Sequence, residues 1–336
     1  MFASPADVVD ALKSEVPCHV LKPFEFASTL QNQLLLFLKP EVFVGTTHKQ
    51  QAAIVDIVFS RMNEYGLAVC GCAVLTGDFL DGTGAMDRHY GFINRVSRFG
   101  ARALTDDEVC TIRSVLAEPS SARILGGHEF LQMHPELTAG ELNRLWATEA
   151  STKLKSGLYV RRATYGDEAI VWANAFHPAQ LEHFTQCDRR IILLLLATNY
   201  PWKVLRQRFL GDTFPERAFH GSVRRVLLEN GLDLGLGKVS ISNNCVHLSA
   251  GPLEGLFEIE NFLGSIPSLS YSRQLTCVAR EAAAQGLSLD QIGVALTNPD
   301  VSLSGQAVPV FTATEDVDTV GAVALLASKK VEFNGA

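Results

Sequence analysis

Two runs that carry no polar side chain constrain this chain most: Leu34–Leu38 and Ile191–Ala197. Both are too short to cross a bilayer and suit buried strands. Around them the pattern alternates between helix and strand. Thr47 to Tyr65 reads as an amphipathic helix with Ala53, Ile54, Ile57, Val58 and Met62 turned inward, stopped by Gly66. Leu67–Leu75 reads as another strand, and 85–99 as a helix carrying Arg88-His89-Tyr90. The chain has 336 residues, 47% hydrophobic and 19% charged. That is globular material with ample core, enough for two domains or for one domain with large insertions.

The net charge is −7 and there is no long basic run, which argues against a dedicated nucleic-acid binder. Seven cysteines without a CxxC read as reduced thiols of a cytoplasmic protein. Met1 to Val20 lacks a charged-then-apolar signal pattern, so no membrane partner is expected. His128-Glu129 and His134 do not make a metal site, because the spacing is not HExxH and Pro135 breaks any shared helix face. No metal-ligand set is assigned. Gly231 to Lys238 fails the phosphate-loop spacing and reads as a turn.

Chemistry concentrates near His247. Ile241 to Ala250 reads as a strand, and Pro252 opens a helical pattern through Leu263. His247 then lies near the strand end, and Glu258, about two turns into the helix, can approach its ring. A neutral imidazole held by a carboxylate is a competent nucleophile; the other reading is a satisfied structural histidine. The densest arginine cluster, Arg206, Arg208, Arg217, Arg224 and Arg225, reads as phosphate or carboxylate recognition or else as a solvated helix face.

Four motifs fall in a known order. They are Leu38-Lys39-Pro40-Glu41, Gly211-Asp-Thr213-Phe-Pro215, Gly221-Ser-Val-Arg224, and Asn244-Cys-Val-His247-Leu-Ser249 followed by Glu258. The set resembles nucleoside diphosphate kinases, across residues 33–98 and 188–263. The resemblance implies a ferredoxin-like α/β (α+β) sandwich, with a four-stranded antiparallel sheet covered by helices. Residues 1–32 would be an N-terminal extension, 99–187 an inserted mainly helical region and 264–336 a C-terminal extension. It also implies that His247 takes the phosphoryl group, oriented by Ser249 and Glu258. Lys39 and Tyr90 would serve the nucleotide, Thr213 and Arg224 its phosphates, Asn244 its sugar, and Arg206 or Arg208 would supply a further arginine. ATP and Mg²⁺ are the implied cofactors, with a nucleoside diphosphate or related phosphorylated metabolite as partner, in a homo-oligomer. Leu248 stands where the family has glycine, and 99–187 replaces a short helical hairpin. The alternatives are a nucleotide-binding module without turnover and a same-fold enzyme with a different acceptor.

Overall fold

In the computed structural model, residues 4–328 are described, except Asp167, Ser268 and Ser304. Residues 1–3 of the N-terminal extension and 329–336 of the C-terminal extension lie outside the described residues. Eleven strands run along the described chain: β1 Cys18–Lys22, β2 Asn32–Leu38, β3 Ala68–Thr76, β4 Arg123–Gly126, β5 Thr152–Lys155, β6 Leu158–Tyr165, β7 Glu168–Ala173, β8 Arg190–Thr198, β9 Val246–Leu248, β10 Asp300–Leu303 and β11 Gln306–Pro309. The chain divides into two compact units, one formed by residues up to Phe79 and from Cys187, the other by Leu80–Gln186.

The first unit is built on one sheet in the order β1-β3-β8-β2-β9, with every neighbouring pair antiparallel. All seven residues of β2 are buried. Alternation along the strand turns Leu34, Leu36 and Leu38 to a core shared with Ile54, Val55, Val58 and Met62 of the helix His48–Glu64. It turns Phe37 the other way, against Phe262 of the helix Pro252–Leu263. Helices on both faces are why these strands carry no polar alternation.

The sheet has five strands where four were expected. Besides a short helix, Pro5–Asp10, the N-terminal stretch contributes β1 at the edge against β3. β1 is only partly buried, so its pattern in the sequence is weak. The strand expected over Ile241–Ala250 shrinks to Val246–Leu248, because the chain bends at Ser240 to Ser242 and again at Cys245, as a segment rich in Ser and Asn favours. The C-terminal stretch is not a separate appendage. Its helices Cys277–Ala284, Leu289–Ala295 and Thr319–Ala327 bury Val278, Ile292 and Val323 against Leu253 and Leu256 of the Pro252 helix.

The second unit begins at Leu80 rather than near 99, and beside its helices it contains strands. It holds a four-stranded sheet in the order β4-β7-β6-β5, with β4 parallel to β7 and the other pairs antiparallel. Val160, Val171 and Ala173 pack on one face with Val96 and Ile112, and Ile170 and Trp172 on the other with Phe130, Leu142 and Trp146. Short strands with mixed alternation between clear helices hid this sheet. Among the described residues no helix is long and apolar enough to cross a membrane.

Candidate active site

β9 pairs with β2 so that His247 lies opposite Phe37. The two-residue period places His247 and Ser249 on the face covered by the Pro252 helix and turns Leu248 into the opposite core, where it is 1% exposed. Leu248 therefore points away from the histidine ring, which stacks on Phe37 with centroids 4.5 Å apart and planes 20° apart. Glu258 sits two turns into the helix, and its side chain is 1% exposed. His247 Nε2 lies 2.6 Å from Glu258 Oε1. The Ser249 hydroxyl donates to Glu258 Oε2 at 2.5 Å, and its oxygen accepts the Leu35 N–H at 3.0 Å. The Trp202 indole N–H donates to the Ser249 carbonyl at 3.1 Å. Imidazole, carboxylate and hydroxyl are thus keyed into the sheet. With its Nε2–H given to the carboxylate, the imidazole keeps its lone pair on Nδ1. Burial, then the charges of Lys39, Arg224 and Arg206, press the His247 pKa well below its ordinary value, so the ring is neutral at pH 7.

Lys39 follows β2 directly, and its ammonium donates to Asn244 Oδ1 at 2.7 Å. Burial, ahead of repulsion from Arg224, lowers the Lys39 pKa. Cys245 holds the turn between Asn244 and the histidine strand at φ 66°, its N–H donating to Glu41 Oε1 at 3.0 Å. Arg224, on the helix Val223–Glu229, is 7% exposed. Its fork donates to the Gly211 carbonyl at 3.1 Å and to the Val246 carbonyl at 3.0 Å. Burial brings its pKa down to about 10, which leaves it charged. Gly211 has φ 94°, and a Cβ there would lie 2.4 Å from Ser222 Oγ, so only glycine fits.

Beside this strut opens a cleft of about 490 Å³, lined among others by Arg206, Arg208, Thr213, Arg217, Arg224 and Asp316. Arg206 lies in a π-helical segment, Leu205–Leu210, and pairs with Glu315 Oε1 at 2.8 Å and Asp316 Oδ1 at 3.4 Å. Arg208 lies over the Phe219 ring at 3.8 Å, and Arg217 over Phe214 at 4.6 Å.

The first unit therefore brings His247, Ser249 and Glu258 into one chain of bonds, Lys39 onto Asn244, and Thr213, Arg206, Arg208 and Arg224 around one cleft. Tyr90 lies in the second unit, with its ring against His177 and Phe184. His128 is bonded through Nδ1 to Ser97 Oγ at 2.8 Å, and His134 pairs with Glu136. Sequence reasoning missed Phe37, Trp202, Glu41 and Glu254. Glu254 lies one turn before Glu258, and its carboxyl is pushed up to about 8 by burial and then by Glu258. The i,i+4 spacing of the two carboxylates was its visible signal. Glu315 and Asp316 had none, being separated from Arg206 by most of the C-terminal stretch.

No known protein family and no curated protein matches the chain. Solved structures to which it is similar include the apo nucleoside diphosphate kinase of Encephalitozoon cuniculi, at 12% identity over 69% of this chain and 89% of that one, with a TM-score of 0.34. An NDP kinase from Pyrobaculum aerophilum is 16% identical over 69% of this chain and 95% of that one, with a TM-score of 0.34. The nucleoside-diphosphate kinase from Borrelia burgdorferi with bound vanadate and ADP is 16% identical over 73% of this chain and 95% of that one, again with a TM-score of 0.34. These likenesses are distant, and what the site does is read from its own atoms.

Proposed function

We propose that the chain is a nucleotide-dependent phosphotransferase that carries a phosphoryl group on His247. The observation that carries this reading is the 2.6 Å bond from His247 Nε2 to Glu258, with Ser249 on the second carboxylate oxygen. That arrangement fixes the tautomer, holds the proton on Nε2 and leaves Nδ1 as the nucleophile. In the first half-reaction a bond forms from Nδ1 to the γ-phosphorus of ATP while the bond to the β–γ bridging oxygen breaks, releasing ADP. Glu258 stabilises the positive charge that develops on the ring. In the second half-reaction an oxygen of a nucleoside diphosphate, or of a related phosphorylated acceptor, takes the group back from nitrogen. Arg224 and Lys39 supply positive charge beside the nucleophile, and Arg208 and Thr213 line the cleft where a phosphate chain is read to lie. Asp212 gives the cleft a carboxylate of the kind that magnesium accepts, and bound magnesium would neutralise the phosphate chain. In this reading the sheet β3-β8-β2-β9 is the ferredoxin-like core, and β1 an added edge.

A second reading, a nucleotide-binding module without turnover, is favoured by one observation: Arg206 is already neutralised by Glu315 and Asp316. One experiment separates the two. The protein is incubated with γ-labelled ATP and Mg²⁺ and then examined for acid-labile, base-stable label. We expect label on the native chain and none on His247→Ala. A native chain that binds the nucleotide without taking label would establish the binding module instead.

A further inference from the structure

We infer that Arg217, together with Arg208, grips the phosphate chain of the ligand in the cleft, and that Arg206 does not. This deepens the phosphotransferase reading and rests on it. Five cations lie beside the nucleophile or line the cleft, and they differ in what already holds them. Arg224 spends its fork on two backbone carbonyls. Arg206 is held by two carboxylates from the C-terminal stretch, and Lys39 by Asn244. Arg208 and Arg217 line the same cleft and, among the described residues, have no carboxylate partner.

Each lies instead against an exposed phenylalanine, Phe219 or Phe214. A guanidinium stacked on a ring loses much of its side-chain freedom but keeps its N–H edge available, because the donors point outward in the plane. An oxyanion meeting such an edge is bound through two parallel hydrogen bonds at a low ordering cost. Thr213 and Arg217 flank the Phe214-Pro215 turn in the chain, and both line the cleft. The cleft therefore offers two prepared forks and a hydroxyl to a chain of at least two phosphates.

The test is calorimetric titration of the full chain with Mg²⁺-ADP and, separately, with inorganic tripolyphosphate. The variants are Arg217→Ala, Arg217→Lys, Arg208→Ala and, as control, Arg225→Ala, whose guanidinium is paired with Glu229. We expect Arg217→Ala and Arg208→Ala each to weaken both ligands about 10-fold, as for a charge-assisted bond lost at an exposed site. Lysine at 217 should restore only part of this, because it lacks the fork, and Arg225→Ala should bind as the native chain does. Because Arg217 is exposed, its loss should leave the thermal midpoint in place. Undiminished binding by Arg217→Ala, while the native chain binds, would overturn the grip and leave the phosphotransferase reading standing. Failure of the native chain to bind either ligand would overturn both.

Discussion

Glu258→Gln is the sharpest probe of the bond chain at His247, because it removes a charge and almost no volume. The carboxylate accepts from His247 through one oxygen and from Ser249 through the other. In the variant, the amide oxygen can still accept from His247 Nε2. The amide NH₂ then faces Ser249, whose hydroxyl can turn to the Leu35 carbonyl, already 3.2 Å away. The packing survives, but the ring loses the anion that stabilises its developing positive charge. A hydrogen bond to a charged group contributes roughly 1.5–3 kcal/mol. If that difference is felt mainly as the ring becomes cationic, phosphorylation slows by roughly 10- to 150-fold. Stability should move little or rise, because a buried carboxylate costs desolvation that an amide does not. The rise should be helped by Glu254, whose carboxyl is released from repulsion by Glu258 and relaxes towards its ordinary range. The assay is single-turnover labelling by γ-labelled ATP, with urea unfolding of the same preparation. Labelling at the native rate by a folded Glu258→Gln would refute the claim that this carboxylate drives the histidine.

Other perturbations read other parts of the structure. Arg224→Ala should cost about 2 kcal/mol of unfolding free energy by leaving the Gly211 and Val246 carbonyls unbonded, so its effect on ligand binding must be read at a denaturant concentration where it is still folded; an unchanged midpoint would show that the strut is dispensable. Glu315→Gln should loosen Arg206, which Asp316 still holds, and strengthen tripolyphosphate binding by at most about threefold, and weaker binding would reverse the sign assigned to this pair. His177 is fully buried in the second unit, with Asp87 and Arg98 as its charged neighbours, and burial holds its pKa at about 4, below the ordinary 6.5. A lowered histidine pKa means that the unfolded chain binds the proton more readily. Stability is therefore complete above pH 6.5 and is lost as pH falls towards 4, by roughly 3 kcal/mol for this group. Denaturation curves from pH 7.5 to 4.5 should show the loss, and His177→Gln should lessen it, leaving the share of His128, whose pKa burial also holds at about 4.

What was legible in the sequence follows from how local the signal was. β2 and β8 announced themselves because both faces are covered, and Pro252 marked its helix because a proline opens a first turn without losing a bond. The pairing of His247 with Glu258 was readable because a strand end and the following helix bring a fixed spacing together. β1 and the sheet of the second unit were not readable, since edge strands and strands with half-exposed alternation look like loops until their partners are known. The Glu315–Arg206 pair lay beyond reach for the same reason: it joins residues 109 positions apart, and nothing near either of them signals the other.

The connection between β3 and β8 has a consequence for synthesis. The two strands are neighbours, with Thr76 opposite Arg190 and the Gly77 N–H on the Arg189 carbonyl at 2.9 Å, yet the whole of the second unit is threaded between them. On the ribosome, Leu80–Gln186 emerges as an uninterrupted piece with its own core and can collapse as soon as it is out. β2 and β3 emerge earlier and must wait for β8, the strand that lies between them in the sheet. At ordinary elongation rates that wait is roughly 5–20 s, long compared with the formation of a hairpin. During it, the buried leucines of β2 lack the strand that they pair with in the finished sheet and are open to the edge of another chain. The insertion thus sets a timetable in which the half carrying the histidine is completed last, and slowed translation across residues 80–186 would lengthen the interval in which this protein is prone to aggregate.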